Sequence, residues 1–209
     1  VVGDTSGKKD TLARIVRLGE RSCVLRRSAD DTDPTERVVV ANANQLVIVV
    51  AAANPQPRTG FIDRAVVAAY DAGIEPILCV TKTDIRHPQE LLDYYQRSGL
   101  RIVLSAASDG RAPSEEGAEG LTTGPVRELL GDLLGNVSVL LGHSGVGKST
   151  LVNALTGAER ATGHVNSVTG RGRHTSSSAL ALQPASDAGV EVPPGTWIID
   201  TPGIRSFGL

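Results

Sequence analysis

The chain has 209 residues, with 21 Lys plus Arg against 23 Asp plus Glu and a formal net charge of −2. Its 40% apolar and 21% charged residues match a globular protein and exclude a mainly disordered one. The near-neutral total carries no overall signal for a nucleic-acid or membrane binder, Cys23 and Cys79 form no CxxC pair, and the longest apolar run, residues 46–53, is far short of the roughly 20 residues of a membrane helix.

In chain order, residues 11–18 and 22–27 read as short strands separated by a hairpin-like break at Gly19-Glu20-Arg21. The polar stretch 28–34 reads as a loop and 38–40 as another strand, which makes residues 1–44 a small β-module. From residue 45 the pattern becomes strand and helix in alternation. The apolar run 46–50 is a strand buried on both faces, 62–71 a helix, and 76–80 a second buried strand. Residues 88–98 are a helix, 102–104 a strand, 109–120 a polar mobile loop, and 126–134 a helix. Strands at 137–141 and 196–199 follow, the first leading into a helical pattern at 151–155. Such alternation predicts an α/β fold: a mostly parallel sheet covered on both faces, over residues 45–209.

The strongest motif is Gly142-His143-Ser144-Gly145-Val146-Gly147-Lys148-Ser149, followed by Thr150. It fits the phosphate-loop pattern G-x-x-x-x-G-K-[ST], with an apolar strand before it and a helical pattern after it. Glycines let the backbone aim its N–H groups at phosphates, and the new helix turns its positive end toward them. Lys148 is expected to reach the β- and γ-phosphates and Ser149 to coordinate Mg²⁺.

Thr81-Lys82-Thr83-Asp84 follows a buried strand and names the base. Asp84 suits the N1–H and 2-amino donors of guanine, whereas adenine would leave the carboxylate unpaired. Lys82 would lie along the base or ribose, and Thr81 stands where Asn is commoner. Ser105-Ala106-Ala107 follows the next strand, where the Ala106 N–H can meet guanine O6. After the phosphate loop come Thr175, a candidate Mg²⁺ ligand, and Asp200-Thr201-Pro202-Gly203. There Asp200 is expected to hold Mg²⁺ through water and Gly203 to sense the γ-phosphate. Ile204 occupies the place where many GTPases carry a water-orienting Gln, so hydrolysis needs another group. His174 is the nearest candidate, and an exposed loop histidine is the competing reading.

These are the parts of a Ras-like P-loop GTPase in permuted order, with guanine recognition ahead of the phosphate loop. The order and the strings Leu25-Arg26-Arg27, Ala41-Asn42-Ala43-Asn44, Gly172-Arg173-His174-Thr175 and Asp200-Thr201-Pro202-Gly203-Ile204 resemble the bacterial ribosome small subunit-dependent GTPase A family. That resemblance implies an N-terminal OB-like β-barrel, incomplete in residues 1–44, and a circularly permuted GTPase domain at 45–209. It implies a C-terminal zinc domain that this chain lacks, so no zinc ligands are expected here. The implied activity is hydrolysis of GTP to GDP with Mg²⁺, stimulated by the small ribosomal subunit late in its maturation and coupled to release, with His174 as catalytic group alongside Lys148, Thr175 and Gly203. The implied partners are that subunit and its rRNA. The implied state is a cytoplasmic monomer with no membrane partner. The residues alone read differently for RNA: 9 Lys/Arg against 7 Asp/Glu in 1–60, with no aromatic to stack bases, is a solvated surface. A nucleotide-gated ribosome-binding checkpoint with little intrinsic catalysis is the alternative, and a P-loop ATPase or kinase a third. The absent Met and the stop at Leu209 are read as a chain trimmed or unseen at both ends.

Overall fold

The computed structural model describes residues 2–4, 14–30, 33–106, 124–158, 179–185 and 190–204. At its centre is β5 (Gln45–Ala51), in which every residue is buried. Parallel neighbours cover both its edges, β6 (Glu75–Thr81) on one side and β8 (Val137–Gly142) on the other. With β7 (Arg101–Leu104), β9 (Leu180–Leu182) and β10 (Trp197–Asp200) they form a six-stranded sheet ordered β7-β6-β5-β8-β10-β9. All neighbours pair in parallel except β9, which runs antiparallel to β10 on the edge. The sheet is therefore mixed, and β9 has no counterpart in the sequence reading, because Leu180-Ala181-Leu182 holds no β-branched or aromatic residue to mark a strand.

Alternation along β5 builds two cores, as a pleated strand requires. Leu46, Ile48 and Val50 point to one face, where they pack with Phe61, Ile62, Ala65 and Ala69 of α1 (Thr59–Asp71) and Leu91 and Tyr95 of α2 (Gln89–Tyr95). Val47, Val49 and Ala51 point to the other, against Leu129, Leu130 and Leu133 of α3 (Gly124–Leu133) and Leu151, Val152 and Leu155 of α4 (Lys148–Thr156). No helix among the described residues is long and apolar enough to cross a membrane.

The chain winds outward from β5 to β7, then α3 carries it back to β8 on the other side of β5. This reversal opens a crevice at the carboxyl ends of β5 and β8, the place where open α/β sheets bind ligands. At the opposite ends polar groups pin the register. Ser138 Oγ donates to Gln45 Oε1 at 2.8 Å, Gln45 Nε2 donates to the Asp132 carbonyl at 3.0 Å, and Asn44 Nδ2 donates to Asn136 Oδ1 at 2.7 Å. A one-residue slip would swap the two cores and break these bonds together.

The N-terminal part departs from the sequence reading. β1 (Val2–Asp4) pairs with β2 (Arg14–Arg17), and β3 (Val24–Asp30) pairs with β4 (Asp33–Ala41), as separate two-stranded sheets. Residues 19–21 are thus not a hairpin turn. The polar residues 28–34, expected as a loop, continue the β3–β4 ladder to Asp30 opposite Asp33. An antiparallel ladder satisfies backbone groups whatever the side chains, so polar composition does not end a strand. Among the described residues these strands do not close a barrel. Leu25, fully buried, and Ala43 instead join the core under α1, with Cys23, Val39 and Val40 packed against it. The expected mobile loop at 109–120 lies outside the described residues.

Leu78 of β6 is fully buried in the core facing α1. Leu78→Ala is expected to cost about 2–5 kcal/mol, read as a lower denaturant midpoint at unchanged slope. A shift below about 1 kcal/mol would contradict this packing.

Candidate functional site

The phosphate-loop motif occupies the crevice, running from the end of β8 into α4. Gly145 and Gly147 take left-handed conformations, φ 83° and 89°, which residues with a Cβ rarely adopt. A Cβ on Gly142 would lie 2.5 Å from the Val49 carbonyl oxygen, so β8 can leave the sheet beside β5 only with glycine there. No side chain caps α4 and no acidic residue stands in its first turn, so its positive end faces the loop.

The Thr81–Asp84 turn is tied to this loop by its first two side chains. The Thr81 hydroxyl bonds the Val146 carbonyl and lies 3.2 Å from the Val50 carbonyl. The Lys82 ammonium donates to the Gly145 carbonyl at 2.8 Å and to the Asn54 carbonyl. Lys82 itself sits at φ 58°, an uncommon conformation for a lysine. Burial lowers its pKa from the ordinary value, and the nearby Asp84 charge pulls it partly back. The turn is closed by Thr83 N donating to the Ser105 carbonyl at 3.2 Å, and Ser105 N donates to the Val80 carbonyl at 2.8 Å.

Between the two loops lies an open cleft lined by Thr81, Lys82, Ser105, Ala106, Gly147 and Thr150, with Val126, Leu151 and Ala154 as its apolar wall. Apolar faces with a few converging polar groups suit a flat heterocycle. Asp84 is exposed and does not line the cleft. Leu151 and Ala154 follow from α4's helical register, whereas nothing in the sequence marks Val126 of α3.

At the other end of the loop, Lys148 is paired with Asp200 and also donates to the Thr201 carbonyl. Asp200 is fully buried and Lys148 nearly so. Thr201 Oγ1 donates to the Leu140 carbonyl at 2.7 Å, which pins the chain as it leaves β10. Ser144 lies against Gly203, where a Cβ would come within 3.1 Å of the Ser144 nitrogen. Ser149 is half-buried in the first turn of α4. His174, Thr175 and Ala107 lie outside the described residues.

The sequence places His143 in the phosphate-loop motif among the expected nucleotide-binding residues but gives no sign of its contact with Ile204. Its Nδ1–H donates to the Ile204 carbonyl at 2.8 Å, and Ile204 N donates to the Gly142 carbonyl at 3.1 Å. The ring stacks at a tilt on Phe61, centroids 4.5 Å apart. Burial lowers the His143 pKa, the Ile204 carbonyl opposes this, and Arg58 and Arg64 lower it further. Ile204 is itself buried, in the core under α1. Among the described residues no group of three or more His, Cys, Asp or Glu could hold a metal ion.

The chain is similar to known proteins. A family model described as RsgA GTPase matches residues 18–209. A protein of Chlorobaculum parvum named small ribosomal subunit biogenesis GTPase RsgA is 36% identical over 203 residues, covering 93% of this chain and 58% of that protein. The protein of the same name from Pseudomonas aeruginosa is 38% identical over 178 residues, covering 82% of this chain and 46% of that one. The chain thus spans about half the length of these relatives. Among solved structures, YjeQ from Thermotoga maritima aligns with a TM-score of 0.56 at 26% identity, covering 91% of this chain and 55% of that one. YloQ, a circularly permuted GTPase, shares the fold, with a TM-score of 0.52 at 20% identity, covering 99% of this chain and 56% of that one.

Thr81→Val keeps the shape and removes the donor. It is expected to cost about 1–3 kcal/mol in unfolding free energy, with Thr81→Ser retaining most of the stability. Equal stability of the Val variant and the unaltered protein would refute the clamp. For His143, the unfolded chain titrates at its ordinary 6.5 and the folded chain lower. As pH falls through 6.5 the unfolded state takes up the proton first, so stability present above that pH is lost on acidification. His143→Asn is expected to flatten that part of the stability–pH curve in thermal melts.

Proposed function

Because the chain belongs to the RsgA GTPase family, we propose that it binds GTP and hydrolyses it to GDP and phosphate as a factor in late maturation of the small ribosomal subunit. The observation that supports this reading is the clamp from Thr81 and Lys82 to Val146 and Gly145, which brings the turn read as base recognition and the loop read as phosphate binding to one cleft. The names of the relatives point to the ribosomal subunit as partner. Contact with its rRNA, stimulation by the subunit, release on hydrolysis, a monomeric state and cytoplasmic location complete the proposal. So do a division into an OB-like module at 1–44 and a GTPase domain at 45–209.

In this reading the guanine ring enters the cleft beside Thr81, Lys82, Ser105 and Ala106, with Asp84 accepting from N1–H and the 2-amino group and Ala106 N–H donating to O6. Thr83 N–H holds the first turn to the Ser105 carbonyl, and Ala107 belongs to the second base-recognition string. The phosphates lie along residues 142–150, under the amide groups of the loop and the positive end of α4. Mg²⁺ fits the donors present, since Ser149 offers a hydroxyl and Asp200 a fully buried carboxylate, both hard oxygens, with Thr175 as a further ligand. When bound, that ion neutralises charge that develops on the phosphate oxygens. Lys148 stabilises the β- and γ-phosphates, for which it must exchange its bond to Asp200. Gly203 N–H senses the γ-phosphate. Ile204 carries no polar group to orient water, and His174 supplies that role.

The buried Ile204 also favours a second reading, a nucleotide-gated checkpoint on the ribosome whose hydrolysis is incidental. Turnover with and without small subunits separates the two. Stimulated hydrolysis that falls about 100-fold or more in His174→Ala supports the enzyme. Negligible rates in both conditions, with nucleotide-dependent subunit binding, support the checkpoint. For the base, Asp84→Asn is expected to weaken GDP binding by about 10- to 100-fold and to favour xanthosine diphosphate, whose 2-carbonyl accepts from the amide. ADP binding tighter than GDP in the unaltered protein would overturn guanine specificity.

A further inference from the structure

Among the described residues, His143 Nε2 is the one buried side-chain nitrogen or oxygen with no hydrogen-bond partner. A buried polar atom left unsatisfied is costly, and the position does not demand a histidine, since the phosphate-loop pattern accepts any residue there. What the imidazole gains is its other nitrogen. Nδ1–H donates to the Ile204 carbonyl, the ring leans on Phe61, and Ile204 N–H is held by the neighbouring Gly142 carbonyl. Both backbone polar groups of Ile204 are thus fastened to Gly142 and His143, and its side chain is buried in the core under α1. On the other side of Gly203, the Thr201 hydroxyl is fastened to Leu140 and the Thr201 carbonyl to Lys148. Gly203 is bracketed by anchors and packs on Ser144 so closely that a Cβ would meet its nitrogen at 3.1 Å.

We propose that His143 is a positioning residue: through the Ile204 carbonyl it holds the Gly203 amide at the phosphate loop, where the γ-phosphate of GTP is read. This rests on the GTP reading above and goes beyond it. It also gives Ile204 a task. In place of a polar side chain aimed at water, the residue supplies an apolar anchor for the segment that senses the γ-phosphate. A preorganised donor is worth more than one that must be ordered at each turnover.

The test uses the whole protein, with GDP and a non-hydrolysable GTP analogue as probes. His143→Ala is expected to weaken binding of the GTP analogue about three- to tenfold more than binding of GDP, since GDP offers nothing for Gly203 to hold. It is also expected to lower kcat for GTP. His143→Asn, whose side-chain amide can donate to the same carbonyl, is expected to restore most of the difference. A merely structural role would weaken both nucleotides alike, and that outcome overturns the proposal, as does failure of the Asn variant to recover. A nucleotide-free arm keeps the two readings apart. Hydrogen exchange at the Ile204 amide is expected to quicken at least about tenfold in His143→Ala, and unchanged exchange refutes the latch whatever binds. Absence of guanine-nucleotide binding in the unaltered protein would instead refute the function.

Discussion

The site depends on a clamp between two loops that are far apart in the chain. Thr81 and Val146 are separated by 65 residues, and Lys82 and Gly145 by 63. Their bonds form only because β6 and β8 flank the same strand, so both loops leave the sheet at one end. The geometry is expensive. Lys82 adopts a left-handed backbone and gives up part of its hydration. Strain and desolvation of this kind persist where the surroundings over-determine them, and here two carbonyl partners do so. Thr81, shorter than the Asn more often found in this place, reaches because Val146 and Val50 both bring carbonyls to it.

A second costly feature lies across the phosphate loop. A fully buried Asp200 and a nearly buried Lys148 form an ion pair, and such pairs seldom repay their desolvation through stability alone. Its logic is functional. In the proposed function both groups serve phosphate and Mg²⁺, and each would hold the other in reach until that partner arrives. Pairing also spares the core an uncompensated charge. The Thr201 carbonyl shares the ammonium, which ties the segment after β10 to the same point as the first turn of α4. With the His143 contact to Ile204, that segment is fastened on both sides of Gly203.

Much of this was legible in advance for a physical reason. A strand buried on both faces must be apolar throughout, so 46–50 and 76–80 announced themselves, and β5 and β6 contain them. The phosphate loop was legible because glycine is required where the backbone has positive φ, as at Gly145 and Gly147, or where another chain passes, as at Gly142. The N-terminal strands were read less well. Their extents follow from pairing partners rather than from composition, so the polar stretch 28–34 passed for a loop and 19–21 for a turn. β9 was invisible for a similar reason, being an edge strand of three residues whose identity comes from its neighbour.

The sequence by itself therefore determined the α/β class, the location of the phosphate-loop motif and the permuted order of the motifs. These follow from local rules of burial, period and backbone conformation, which act within about ten residues. Only the tertiary structure decided which side chains meet. It set Thr81 on Val146, exposed Asp84 beside the cleft instead of lining it, paired Lys148 with Asp200, and turned His143 of the phosphate-loop motif toward Ile204. Such contacts join residues dozens of positions apart, and their existence depends on the order of strands in the sheet. No local pattern encodes that order, because parallel neighbours are chosen by the packing of whole helices on the two faces.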